Sequence, residues 1–133
     1  MFAKAMVPWV VNAPLCTPPY LGKRDLMRSA LENGIAPPRL NRDGFPHNNC
    51  GGFCIKAGQA QFKLLLKKFP ERYAFHEQKE RELRNYLGKD VTILREMRDG
   101  EFFSLTLEAL RHRLEASGEI DEFDWGGCGC AID

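Results

Sequence analysis

The sequence has almost no charge imbalance, no long apolar run and no familiar phosphate-gripping loop. Nineteen Lys and Arg stand against 18 Asp and Glu, a formal net charge of +1. Bulk electrostatics therefore give no argument for binding nucleic acid or a membrane surface. The most apolar early stretch, residues 5–11, is far shorter than the ~20 residues a spanning helix needs. It also lacks the long apolar core and small-residue cleavage site of a secretory signal. Neither common glycine-rich phosphate loop is present, nor a nucleophile elbow, nor a His-Glu-x-x-His pair. The parts that drive most enzymatic chemistry are thus missing from the sequence. Internal repeats and low-complexity segments are absent too. The expectation is a cytoplasmic protein without membrane contact, in a reducing compartment.

What is present is ordinary in bulk. The 133 residues are 44% hydrophobic and 28% charged, which fits one soluble domain with a modest core. Its expected parts are an extended Pro-rich arm (1–22), a helical body (23–117) and a Cys-bearing tail (118–133). Pro8, Pro14, Pro18 and Pro19 keep the arm irregular. A first amphipathic helix is expected over about 23–33, with Leu26, Met27, Ala30 and Leu31 on one face and Gly34 as its stop. Residues 35–40 read as an extended linker, and 41–57 as a loop. A second helix follows Gly58 to about Phe69, with Phe62, Leu65, Leu66 and Phe69 at i, i+3, i+4 and i+7. Pro70 opens a third, mostly charged helix to Leu87, stopped by Gly88 and anchored by Tyr73, Leu83, Tyr86 and Leu87. Residues 91–94 and 102–105 flank Asp99-Gly100, the signature of a hairpin. Thr106 caps a fourth helix bearing Leu107, Leu110 and Leu114. The expected fold class is mainly α (α+β): about four helices, a short β-hairpin and a cysteine-stapled C-terminal tail.

The chain has five cysteines, and four form two close pairs wrapped in glycine. Cys50 and Cys54 lie in His47-Asn48-Asn49-Cys50-Gly51-Gly52-Phe53-Cys54; Cys128 and Cys130 lie in Gly126-Gly127-Cys128-Gly129-Cys130. Two such half-sites make a four-thiolate set, as used by tetrahedral zinc and iron–sulfur clusters. Neither pair has the Cys-x-x-Cys spacing of a zinc knuckle, which favours iron–sulfur over Zn2+ without excluding zinc. Unligated thiols and disulfides are the competing readings, and a Cys128–Cys130 disulfide is disfavoured by strain. A bound metal would staple the tail to the middle of the chain and offset the entropy of closing that loop.

Four thiolates around a divalent ion leave net negative charge, which bare glycine N–H groups and the cation Lys56 would offset. His47 is either a cofactor ligand or substrate contact, or a turn residue after Pro46. Lys56, Gln59 and Gln61 lie near the start of the second helix, where free N–H groups could hold an anion; simple solvation is the better reading of the two glutamines. Lys63, Lys67 and Lys68 form a stripe that gives nucleic acid weak support as a partner; a solvated face explains it better. His76 and His112 read as solvated, Trp125 as an anchor for the tail, and the odd Cys16 as a semi-buried small residue.

Four stretches together resemble the C-terminal half of phosphoadenosine phosphosulfate (PAPS) reductase-like proteins. They are Ala13-Pro14-Leu15-Cys16-Thr17-Pro18-Pro19-Tyr20-Leu21, residues 44–59 around the first cysteine pair, Pro70-Glu71-Arg72-Tyr73, and Asp124-Trp125-Gly126-Gly127-Cys128-Gly129-Cys130. Such proteins belong to the PP-loop ATP pyrophosphatase superfamily, with the adenine nucleotide alpha hydrolase-like fold. The resemblance runs from about Trp9 to Cys130. It implies nucleotide-dependent sulfur chemistry: reduction of an activated sulfate, or adenylation followed by sulfur transfer. It also implies a four-cysteine iron–sulfur cluster (4Fe-4S) on Cys50, Cys54, Cys128 and Cys130. The superfamily's Ser-Gly-Gly-x-Asp-Ser phosphate loop does not occur here. The expected partners are therefore a separate PP-loop nucleotide-binding subunit and, through exposed apolar surface, further copies of the chain. A non-enzymatic, metal-stapled module that binds nucleic acid or protein is the alternative.

Overall fold

The computed structural model describes residues 13, 16–116 and 120–127. The chain is mainly helical α+β, as its periodicities require, with five helices and one two-stranded hairpin among the described residues. No helix of these residues is long and apolar enough to cross a membrane. Two compact units divide the chain, one up to Pro37 and one from Pro38.

In the first unit, α1 (Lys23–Glu32) starts where the Asp25 carboxylate accepts the Gly22 N–H at 3.1 Å. It stops in a Schellman motif: Ile35 N donates to Ala30 O at 2.8 Å, and Gly34 N to Leu31 O at 3.0 Å. Gly34 supplies the positive φ this needs, 75°. No α1 residue is buried, and Cys16 is exposed rather than semi-buried.

The second unit holds the core. The expected linker and loop contain one more turn, α2 (Arg39–Arg42), which buries Leu40. Helices α3 (Gln59–Lys68) and α4 (Pro70–Leu87) meet at Pro70, and Gly88 closes α4 at φ 60°. Strands β1 (Leu94–Arg98) and β2 (Glu101–Leu105) pair antiparallel, Leu94 opposite Leu105. Asp99 and Gly100 turn between them with φ 51° and 84°, so the first strand begins where residues 91–94 were expected to end. Thr106 Oγ1 accepts the Ala109 N–H at 3.0 Å and caps α5 (Leu107–Ala116).

Phe62, Leu65, Tyr73, Leu94, Leu105, Leu107 and Leu110 form the centre of the core. The Tyr73 hydroxyl donates to Leu107 O at 2.6 Å, and burial, seconded by Glu77 and Glu80, raises its pKa. Of the four anchors expected on α4, only Tyr73 is buried; Leu83, Tyr86 and Leu87 are exposed. Glu77 and Glu80 are buried in their place. Glu80 accepts the backbone N–H groups of Ile93 at 2.9 Å and Leu107 at 2.7 Å, so it ties α4 to the hairpin and to α5. Glu77 pairs with Arg111 through two hydrogen bonds of 2.8 and 3.2 Å. A carboxylate with such partners tolerates burial that an unpaired one would not.

Candidate metal centre

The first cysteine pair sits in a series of tight turns. Phe53 N donates to Cys50 O at 3.0 Å, and Ala57 N to Cys54 O at 3.0 Å. Gly51 and Gly52 between the cysteines have φ of 60° and 90°. From the helical side, the buried Gln61 amide donates to Gly52 O at 3.0 Å. The Arg72 guanidinium donates to Gly51 O from the start of α4. Cys50 is exposed and Cys54 is buried in the core; both are thiols, not disulfides.

The tail returns to this loop. Ala57 and Gly126 form an antiparallel bridge, and Gly127 N donates to Lys56 O at 2.9 Å. Asp124 occupies the start of α3: its Oδ2 accepts the Gln59 N–H at 3.0 Å, and its backbone oxygen the Ala60 N–H at 3.0 Å. The chain's own carboxylate thus takes the helix end that could hold an anion, where the helix dipole favours it, and Gln59 and Gln61 are buried rather than solvated. The approach is close enough to demand glycine. A Cβ at Gly126 would collide with the Lys56 carbonyl, and one at Gly58 with Asp124.

Lys56 is exposed, and its carbonyl joins the tail to the loop. His47 is 5% exposed, and neither ring nitrogen has a hydrogen-bond partner. The Oε1 atoms of Gln59 and Gln61 are also buried without one. Such atoms are rare in folded proteins and mark places where water, an ion or a ligand completes the structure. Cys128 and Cys130 lie outside the described residues. Among the described residues no group of three or more His, Cys, Asp or Glu is placed to hold a metal ion. What they do provide is two thiols on one loop, with glycines between them and Arg72 bonded to that loop.

Two residues at this site had no signal in spacing. Arg72 reaches Gly51 across 21 residues and stacks on Phe69 at 5.5 Å; Asp124 reaches Gln59 across 65. Beside Cys54, Phe53 stacks on His76, ring centroids 3.5 Å apart and planes 8° from parallel. His76 is therefore packed rather than solvated. Burial, seconded by the charge of Arg72, lowers its pKa from 6.5. Phe53, Ile55, His76, Leu83, Val91 and Ile93 line a largely apolar cavity of about 240 Å³. Two of the three stripe lysines are paired, Lys63 with Glu122 and Lys68 with Asp43 at 3.9 Å. No family model, curated protein or solved structure matches the chain.

Proposed function

We propose that the chain is the cluster- or metal-bearing portion of a PAPS reductase-like protein that carries out nucleotide-dependent sulfur chemistry. The hydrogen bonds between residues 124–127 and residues 56–60 carry this reading. Cys54 precedes Lys56 by two residues, and Cys128 follows Gly127 directly. One residue step is about 3.8 Å between Cα atoms, so the Gly127–Lys56 hydrogen bond supports a site shared by Cys54 and Cys128. Cys50, Cys54, Cys128 and Cys130 would hold a 4Fe-4S cluster, with Zn2+ as the alternative. When bound, such a cluster supplies one-electron redox capacity.

The chain's own residues prepare this centre. Arg72 and the glycine N–H groups offset thiolate charge, and burial of Cys54 limits its contact with water. His47 and Lys56 are the further cofactor-contacting residues, and the orphaned nitrogens of His47 support its part. The nucleotide would be gripped by a PP-loop element that residues 1–133 do not contain. The chain alone is then inactive in sulfur chemistry.

Metal analysis of anaerobically purified protein tests the reading. A brown protein with about four iron and four sulfide per chain is expected, and Cys128→Ser should lose most of both. One zinc and no colour would overturn the iron–sulfur assignment. Absence of any stoichiometric metal would overturn the centre itself.

A further inference from the structure

The side of α4 that faces away from the core carries a patterned, exposed seam. Phe75 and Tyr86 are 54% and 86% exposed, and the side chains of Lys79 and Glu82 are 52% and 50% exposed. These four positions advance by four, three and four residues, the spacing of a helix that packs along another helix. At about 100° per residue they fall within about 60° of the helix circumference. The buried residues Tyr73, Glu77 and Glu80 lie on the opposite side. Leu83, 52% exposed, widens the Lys79 flank of the seam with apolar surface.

We propose that this seam is an interface between two copies of the chain, in which α4 packs antiparallel on α4 about a two-fold axis. The pattern is self-complementary: aromatic, Lys, Glu, aromatic. Reversed against itself, it sets Phe75 against Tyr86 of the second copy and Lys79 against Glu82 of the second copy, each contact made twice. A parallel pairing in register would oppose Lys79 to Lys79 and Glu82 to Glu82. Aromatic side chains at both ends supply apolar area, and the central charges fix direction and register. Within one copy Lys79 bonds Glu82 at 2.6 Å and also lies over the Phe75 ring. The seam is thus pre-ordered, and the same two charges are placed to exchange partners across the axis.

Sedimentation equilibrium of the full chain over a wide concentration range tests the interface. A reversible dimer is expected. Lys79→Glu alone and Glu82→Lys alone each oppose like charges twice, and each should weaken association by about tenfold or more. An equimolar mixture of the two variants should dimerise again, because every cross-axis pair in the heterodimer is complementary while the pair within each copy stays broken. Phe75→Glu should abolish the dimer with an unchanged circular dichroism spectrum, and Tyr86→Ser should weaken it. A wild-type chain that stays monomeric would overturn the proposal. So would a dimer that ignores these variants, or a mixture that fails to recover. Iron or zinc content does not enter any of these outcomes.

Discussion

Asp124 caps α3 from 65 residues away, its Oδ2 3.0 Å from the backbone nitrogen of Gln59. The N-cap residue itself, Gly58, offers no side chain for this. One carboxylate from the tail therefore satisfies the helix start and fixes the strand-like approach to the cysteine loop. Asp124→Ala should cost about 1 kcal/mol of stability, the usual worth of such a cap, with Asp124→Asn costing less. Urea denaturation reads the magnitude. Faster amide exchange at Gln59, with α5 amides unchanged, would locate the effect at this contact.

Gly126 makes the second tail contact, at φ 83° and against the Lys56 carbonyl. A side chain there meets both a disfavoured backbone region and a collision, so Gly126→Ala should cost more than about 1 kcal/mol. The loss should be local. Limited proteolysis should cut the tail of Gly126→Ala sooner than that of wild type, while the near-ultraviolet spectrum of the core persists. Equal cleavage rates would show that the tail is held by something else.

Local chemistry made much of this fold legible in the sequence. Gly34 and Gly88 stop helices, Thr106 starts one and Asp99-Gly100 turns the hairpin, because each depends on residues within a few positions. Cys50, Cys54 and the glycines between them announced their loop of tight turns in the same way. Leu83, Tyr86 and Leu87 misled because periodicity counts apolar residues and cannot see a useful buried acid. Glu80 is buried for its bonds to Ile93 and Leu107, 13 and 27 residues onward. The contacts of Arg72 and Asp124 were illegible for the same reason, since their targets are distant in sequence.

Glu80 should accordingly be the most sensitive polar position in the core. Glu80→Ala strands two backbone donors, one buried and one half-buried, and should destabilise by about 3 kcal/mol. Glu80→Gln keeps one acceptor oxygen and should cost about 1 kcal/mol. Thermal denaturation of the two variants gives the order. Glu82→Gln, on the exposed side of the same helix, should differ little from wild type in the same assay at a concentration where the chain is monomeric.

His76 gives the fold a pH dependence of known sign. Its pKa lies below 6.5 first because it is packed away from water, and second because Arg72 is near. The unfolded chain then takes up its proton at a higher pH than the native one. Stability is fully present above pH 6.5 and falls as the pH drops through the window between 6.5 and the lower native value. The imidazole resonance of His76 should titrate below 6.5. Arg72→Met should raise the native His76 pKa only part of the way, since packing against Phe53 remains. Phe53→Ala, which opens the ring to water, should raise it further. If Arg72→Met restored the ordinary value alone, charge rather than burial would be the dominant cause.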